Sequence, residues 1–309
     1  MRLEEELRRR ILILDGGMGT EIQKSGLQYD GNNDALPMTN PTLIQSIHKS
    51  YIDAGADIIS TCTFGANAVS QQGYGMGDSI REMNLAGARA ARLAADSCSD
   101  RKVWVMGSMG PTSKSLTIIE LMMDPSETLD FEGLKQTYRI QAEALIDGGA
   151  DGLLIETITD LRNAEAALSA IRDIQQSRGI EIPVMVSATL MSPGGCLMTG
   201  STVQELVAMA EPFNPISIGL NCSFGAKEML PYIRQVAEAA KGAVSVHPNA
   251  GLPTAHGYDE CPCDTADSIF TMASEGLINI AGGCCGTTPE HIREIAARLR
   301  GIPPRSFPV

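Results

Sequence analysis

The sequence predicts a single-domain (β/α)8 barrel, an α/β fold, on three observations. Short runs rich in Ile, Val and Leu recur between longer segments with helical spacing, and there are eight such runs. Near-continuous apolar runs are typical of strands buried on both faces, and their alternation with amphipathic helices indicates parallel βαβ units. No linker rich in Pro, Gly or Ser divides residues 1–309, so one domain is expected, with a doubly wound sheet as the lesser alternative. The runs cover residues 11–15, 57–61, 103–107, 152–156, 183–187, 215–220, 243–247 and 277–281.

The segments between the runs carry recognisable helix signals. Pro41 fits the first position of a helix whose apolar stripe includes Ile44 and Ile47 and which ends at Gly55. Gly148-Gly149-Ala150-Asp151 repeats the pattern of Ala54-Gly55-Ala56-Asp57, in which a glycine ends a helix just before the next strand. These segments therefore look like copies of one repeating unit.

Composition limits the classes of function. The net charge of −13 and the pI near 4.8 argue against binding of nucleic acid or of an anionic membrane, which depends on Lys and Arg clusters. The first ten residues lack an apolar signal region, and no stretch approaches the roughly 18 apolar residues of a membrane helix. A cytoplasmic protein with a small-molecule substrate is expected.

In a barrel of this kind, the loops that follow the strands form the catalytic face. Polar groups, glycines and thiols are concentrated in these loops, and all of them are expected at one end of the barrel. The segments are Asp15 to Thr20, Thr61 to Asn67, Ser108 to Thr112, Glu156-Thr157, Ser187 to Thr189, Asn221 to Ser223, His247 to Gly251 and Gly282 to Thr288.

Three of the eight cysteines form a candidate zinc site. Cys284 and Cys285 lie in the glycine-framed segment Gly282–Gly286, and Cys222 ends another apolar run. Adjacent residues of a regular strand point to opposite faces, so the paired cysteines can share a metal only if the backbone leaves the strand there. Three thiolates fill three corners of the zinc tetrahedron and leave the fourth open, as in catalytic sites. A substrate thiol could take that corner as a thiolate.

Other interpretations of the cysteines stay open. Cys284 and Cys285 could form a vicinal disulfide or a packed pair, and Cys261-Pro262-Cys263 is a weaker metal candidate because its spacing is tight. The isolated cysteines, at positions 62, 98 and 196, are expected to be small buried hydrophobic residues.

Asp15 and Glu156 place two carboxylates across the mouth from the thiols, where they could hold a substrate ammonium group. Alternatively, each is a structural carboxylate that caps loop amides. The glycine-rich turn after Asp15, with Thr61, Thr63 or Ser108, could receive a carboxylate. An α-amino acid thiol would satisfy all of these groups.

The four histidines are not expected to act in catalysis. His48 and His291 lie on predicted helices and are read as ordinary surface or packing residues, while His247 and His256 lie nearer the mouth. For His247, a hydrogen-bonded structural role is favoured over that of a spare metal ligand.

The motifs resemble those of the homocysteine S-methyltransferase family, and most closely the N-terminal homocysteine-binding module of cobalamin-dependent methionine synthase. The resemblance extends along most of the chain. It is carried by Leu14 to Thr20, Asp57 to Asn67, Gly107 to Thr112, Glu156-Thr157, Gly219 to Cys222, His247 to Pro253 and Gly282 to Pro289.

The resemblance implies roles for individual residues. The zinc ligands of the family fall on Cys222, Cys284 and Cys285, and the carboxylates that bind the homocysteine amino group fall on Asp15 and Glu156. Gly16 and Thr61 correspond to positions that meet the substrate carboxylate. The implied activity is zinc-dependent methyl transfer to L-homocysteine, which gives methionine.

The resemblance leaves the methyl donor open. It favours methylcobalamin carried on a separate module or a corrinoid-binding partner, as in a methyltetrahydrofolate-linked methionine synthase. One alternative is a stand-alone methyltransferase that uses S-methylmethionine, S-adenosylmethionine or betaine. A non-catalytic zinc-binding scaffold is a third.

Overall fold

The computed structural model describes residues 2–123, 127–191, 194–255 and 257–307. His256, which the sequence places near the mouth, lies outside the described residues. The strands are β1 (Leu12–Ile13), β2 (Ile58–Ser60), β3 (Trp104–Met109), β4 (Gly152–Ile158), β5 (Val184–Ala188), β6 (Ser217–Gly225), β7 (Ala243–Asn249) and β8 (Ile280–Ala281). Every predicted apolar run contains or overlaps one of these strands.

The strands pair in parallel in the order β1-β8-β7-β6-β5-β4-β3-β2. A parallel bridge between Leu14 and Ile58 then joins the two ends of this order. The backbone N–H of Asp15 donates to the Ile58 carbonyl at 3.0 Å across the same junction. The sheet is thus a nearly closed (β/α)8 barrel of one domain, which confirms the predicted fold and rules out the doubly wound alternative.

Helices surround the barrel. The short α1 (Leu3–Leu7) precedes the first strand. The others are α2 (Met18–Lys24), α3 (Leu36–Thr39), α4 (Pro41–Ala54), α5 (Ala68–Gln71), α6 (Ile80–Asp96), α7 (Leu116–Met122), α8 (Phe131–Asp147), α9 (Leu161–Arg178), α10 (Val203–Ala210), α11 (Ala226–Ala239), α12 (Pro262–Ser274) and α13 (Pro289–Arg298). Single 3-10 turns occur at Asn33–Ala35, Gln72–Tyr74, Gly77–Ser79 and Glu211–Phe213.

The predicted helix signals are present in the structure. Pro41 begins α4, and Gly55 ends it in the left-handed conformation, with φ 112°. Thr288 and Pro289 occupy the N-cap and first positions of α13. Among the described residues, none of the helices combines the length and the apolarity that a membrane span requires.

One end of the barrel interior is closed by apolar packing. Leu3 and Leu7 of α1 pack with Leu12, Trp104 and other inward-facing strand residues in one buried cluster. Asn279, just before β8, donates to the carbonyl oxygens of Leu7 and Arg305 and so ties both terminal segments to this end. The cavity of the barrel lies at the other end, among residues at the carboxyl ends of the strands.

The top layer of the interior is polar. Residues at alternate strand positions face inward, and here they change from apolar to polar towards the carboxyl ends. The inward-facing residues of this layer are Ser60, Ser108, Glu156, Ser187, Asn221 and His247. Four of these side chains, those of Ser60, Ser108, Glu156 and His247, line the cavity at this end.

Candidate active site

The three predicted metal ligands come together at the mouth of the barrel. The Sγ atoms of Cys222, Cys284 and Cys285 all lie within 4.8 Å of one another. The Cys222 and Cys285 sulfurs are 3.9 Å apart, and three sulfurs around one tetrahedral zinc would be about 3.8 Å apart at Zn–S distances of about 2.3 Å. In the described part of the chain no other group of His, Cys, Asp and Glu offers such a cluster. The donor set fits a zinc ion.

Backbone packing places the cysteine pair. After β8, the N–H of Gly283 donates to the Asp15 carbonyl and the N–H of Cys284 to the Pro248 carbonyl, so the chain is held from both sides. A Cβ at Gly283 would lie 2.4 Å from the Thr287 hydroxyl, so any larger residue would clash at this position. Gly286 has φ +79°, which glycine adopts without a steric penalty. The backbone thus leaves the strand at the cysteines, as expected.

Cys222 departs from the prediction that it follows its strand. It lies within β6, at a register shift between Asn221 and Gly225. Cys222 and Ser223 have φ values of +63° and +60°, so the strand bulges there and rejoins β7 at Gly225. This bulge turns the thiol towards Cys285.

The three thiols of the cluster are free, and they shift one another's pKa values. All eight cysteines have free thiols, so the vicinal disulfide is absent. Hydrogen bonds from Cys284 and then Cys285 lower the pKa of Cys222, while the Cys222 thiolate raises that of Cys284. Of these two thiols, that of Cys222 is therefore the more readily ionised. A bound cation would allow all three to ionise.

The remaining cysteines lie elsewhere. Cys62 is buried as expected, but Cys98 and Cys196 are partly exposed. The Cys98 thiol follows the end of α6 and donates to the Asp100 carboxylate at 3.0 Å, so its expected burial as a hydrophobic residue is wrong. Cys261 and Cys263 are both exposed at the start of α12 and do not join the thiol cluster.

The two predicted carboxylates share the cavity with the thiols. Both oxygens of Asp15 accept from Ser60, at 2.9 Å from its N–H and 3.0 Å from its hydroxyl, and the Ser108 hydroxyl donates to Glu156. Burial raises the pKa of Asp15 to about 8 and that of Glu156 to about 7. Neither carboxylate forms an ion pair within the described residues, so both lack a counter-charge.

These pKa values predict a pH-dependent gain of stability in the Asp15→Asn variant without ligand. Between the ordinary pKa near 3.8 and the folded value of about 8, the unfolded wild-type chain ionises while the folded protein keeps the proton. Wild-type stability should therefore fall as pH rises through this window. Each pKa unit corresponds to about 1.4 kcal/mol, so we expect the variant to be a few kcal/mol more stable at pH 8 and to lose this advantage as the pH falls towards about 4. Urea unfolding at several pH values checks this, and equal stability at pH 8 would contradict it.

Gly16 and Thr61 also line the cavity. A Cβ at Gly16 would lie 2.8 Å from the Thr287 hydroxyl and 2.9 Å from the Tyr51 ring, so close packing requires glycine there. The Thr61 hydroxyl is buried, accepts from the Ser108 N–H at 2.9 Å and lies 2.6 Å from the Thr63 hydroxyl. The Thr63 hydroxyl donates its proton to the Ser108 carbonyl, so it can only accept from Thr61. The Thr61 hydroxyl proton is therefore used in that bond. A direct contact of Thr61 with substrate stays a prediction.

The histidines differ from expectation at two positions. His48 is buried in α4, as a packing residue would be. His247 lines the cavity, but its Nε2 has no hydrogen-bond partner among the described residues, so the expected bonded role is not met at that atom. His291 also lines the cavity, and its Nε2 lies 3.1 Å from the Glu260 carbonyl oxygen, so it connects α13 to the loop after β7.

Sequence reasoning missed two residues beside the thiols. Tyr258, in the loop after β7, forms a side-chain hydrogen bond with Cys285, and burial raises the pKa of this tyrosine to about 12. Asn221 approaches the Cys284 sulfur at 3.9 Å. Asn221 could have been found from the sequence, because it directly precedes the predicted ligand Cys222 and occupies an inward-facing strand position. Nothing in the composition of its loop singles out Tyr258.

The family model for homocysteine S-methyltransferase matches residues 12–299 of this chain. The chain belongs to the homocysteine S-methyltransferase family. It is accordingly an S-methyltransferase with homocysteine as acceptor, and the cavity that holds the thiols and carboxylates is its candidate active site.

Solved structures agree with this fold. The metallated form of the homocysteine methyltransferase MmuM from Escherichia coli superposes with a TM-score of 0.77 at 23% identity, covering 94% of this chain and 97% of that chain. The oxidized form of the same protein gives a TM-score of 0.76 at 23% identity, covering 93% and 96%. At this identity, the similarity establishes the barrel rather than the details of the site.

Proposed function

We propose that this chain transfers a methyl group to the thiol of L-homocysteine, with Cys222, Cys284 and Cys285 holding Zn²⁺. When bound, zinc would deprotonate the substrate thiol and keep it nucleophilic. The observation that carries this proposal is one cavity that contains three converging thiols and two carboxylates without counter-ions, the buried Asp15 and the partly buried Glu156. The homocysteine methyltransferase MmuM, which shares this fold, has a metallated form, and this supports a bound metal in the present chain.

The residues of the site would bind the two ends of the substrate on two sides of the cavity. Asp15 and Glu156 would bind the ammonium group, which supplies the positive charge that both carboxylates lack. Because Ser60 and Ser108 donate to these carboxylates, the oxygens are fixed in position before substrate arrives. The sulfur end would lie at the metal that the three thiolates hold. The amino acid is thereby oriented with its sulfur towards the mouth, where a methyl donor can approach.

The donor in this proposal is methylcobalamin carried by a separate module or partner. Thirteen large apolar side chains are exposed among the described residues, and ten of them lie in loops or short helices that follow the carboxyl end of a strand. In α7 and just after it, Leu121, Met122 and Met123 are 77%, 72% and 83% exposed. Exposed apolar groups concentrated on one face are typical of surfaces that meet another macromolecule, and Met side chains adapt to varied partners. This favours a donor delivered by a protein.

A second candidate function uses a diffusible donor, such as S-methylmethionine, S-adenosylmethionine or betaine. It is favoured by the size of the cavity, about 800 Å³, which is in the range that holds drug-sized ligands. Homocysteine alone would fill only a small part of that volume.

A donor-resolved assay separates the two candidates. Zinc-loaded protein is incubated with homocysteine and, in separate reactions, free methylcobalamin, S-methylmethionine, S-adenosylmethionine or betaine, and methionine is measured. We expect methionine with methylcobalamin and demethylation of the corrinoid in equal amount. Turnover with a sulfonium or betaine donor and none with methylcobalamin would establish the second candidate. A scaffold would give no methionine with any donor.

A further inference from the structure

Two strained bulges flank β5 at the active site. In β4 the register shifts between Ile155 and Ile158, and Thr157 has φ +56°. In β6 the shift follows Asn221 and includes Cys222. A β-branched residue with positive φ is a true outlier and costs on the order of 1–3 kcal/mol. The surrounding structure must therefore hold both bulges in place, and each one presents a group of the site, Glu156 or Cys222.

The Asn221 carboxamide links the two bulges. Its Oδ1 accepts from the Thr157 N–H at 2.9 Å and from the Ser187 hydroxyl at 2.8 Å. Its Nδ2 donates to the Thr157 hydroxyl at 2.8 Å and lies 3.9 Å from the Cys284 sulfur. The side chain is 1% exposed, and both the oxygen and the nitrogen of its carboxamide form hydrogen bonds. One side chain thus connects β4, β5, β6 and the segment after β8.

We propose that Asn221 is a positioning residue that fixes the distance between the thiol cluster and the carboxylate of Glu156. This inference rests on the proposed function, in which one end of homocysteine is held by sulfur and the other by its ammonium group. A ligand bound at both ends is sensitive to that distance, whereas a ligand bound only through sulfur is not. Asn221 would accordingly act on recognition of the amino group without touching it.

A carboxamide meets this requirement and its close analogues do not. In Asn221→Asp the acceptor oxygen for Thr157 and Ser187 remains, but the donor to the Thr157 hydroxyl is lost and a negative charge is placed beside the thiolates. In Asn221→Ala all of these contacts are removed and Thr157 has no partner for its strained N–H. Both variants keep the three cysteines.

The test measures binding by calorimetry to zinc-loaded protein, so it does not depend on the methyl donor. Homocysteine is compared with 4-mercaptobutanoate, which has the same thiol and carboxylate but lacks the amino group. We expect Asn221→Ala to raise the Kd for homocysteine about 10- to 100-fold, the range for a lost hydrogen bond to a charged group. The Kd for 4-mercaptobutanoate should change less than about threefold, and the zinc content should stay near one equivalent.

Asn279→Ala is the matched control, because Asn279 is also buried and fully bonded but lies at the closed end of the barrel. It should lower the melting temperature and leave both Kd values unchanged. If Asn221→Ala does not fold, Asn221→Ser, which is also short but adds no charge beside the thiolates, provides the same comparison. Equal loss of both ligands, or loss of zinc, would overturn the inference, since either would show a general structural role.

A double-mutant cycle with Glu156→Gln completes the test. If Asn221 acts through Glu156, then Asn221→Ala in the Glu156→Gln background should add less than about threefold to the Kd for homocysteine. Additive effects would overturn the inference. If Glu156→Gln alone leaves homocysteine binding unchanged, the proposed substrate geometry fails instead, and the two failures are therefore distinguishable.

Discussion

Replacing Cys285 by alanine is expected to abolish both metal binding and methyl transfer. The variant keeps only two of the three thiol ligands that zinc with one open corner requires. Without the metal, the cavity also loses the group that would stabilise the substrate thiolate. Loss of metal catalysis costs several kcal/mol, so turnover should fall at least about a thousandfold. Metal content by atomic emission and methionine formation with the effective donor measure the two effects.

Cys263→Ala is the control for this experiment, because Cys263 is exposed at the start of α12 and lies outside the thiol cluster. It should keep one equivalent of zinc and full activity. A Cys285→Ala protein with unchanged zinc and turnover would exclude the assignment of this residue as a ligand. The melting temperatures of both variants show whether any loss arises from unfolding.

Replacing Glu156 by glutamine should weaken the recognition of homocysteine about 10- to 100-fold, the range for a lost hydrogen bond to a charged group. The reason is that the amide keeps the contact with Ser108 but carries no charge for the substrate ammonium. Binding of 4-mercaptobutanoate should be unchanged, because this analogue has no amino group. Isothermal calorimetry with both ligands gives the comparison.

Glu132→Gln provides the control, since that carboxylate is 77% exposed on the barrel exterior. It should bind both ligands as the wild type does. Parallel weakening of homocysteine and 4-mercaptobutanoate by Glu156→Gln would show that Glu156 acts on the metal site rather than on the amino group.

Much of the fold could be predicted from sequence because the physical signals are local. An apolar run such as 103–107 indicates a buried strand, and Pro41 and Gly55 mark the ends of a helix. Parallel strands in a barrel then bring their carboxyl ends together, which places Cys222 and Cys284 near each other although sixty residues of chain separate them. The thiol cluster follows from this topology and from the glycines around Cys284.

The bulges could not be predicted in the same way. Thr157, Cys222 and Ser223 have positive φ values that their side chains do not favour, so no local preference announces them. They exist because bonds from distant strands, such as those of Asn221 to Thr157, hold them. The role of Tyr258 was missed for a related reason, because its loop is placed against Cys285 by packing on Gly286, where a Cβ would lie 2.3 Å from that of Tyr258.

The pairing of β1 with β8 has a consequence for how the protein is made. Leu12 pairs with Ile280, so the barrel can close only after Ile280 has left the ribosome. The thiol cluster needs Cys222 from β6 and both cysteines that follow β8, and a nascent chain shorter than 285 residues lacks a complete ligand set. The ligand set of the proposed metal is therefore complete only late in the synthesis of this barrel, once Cys285 has been made.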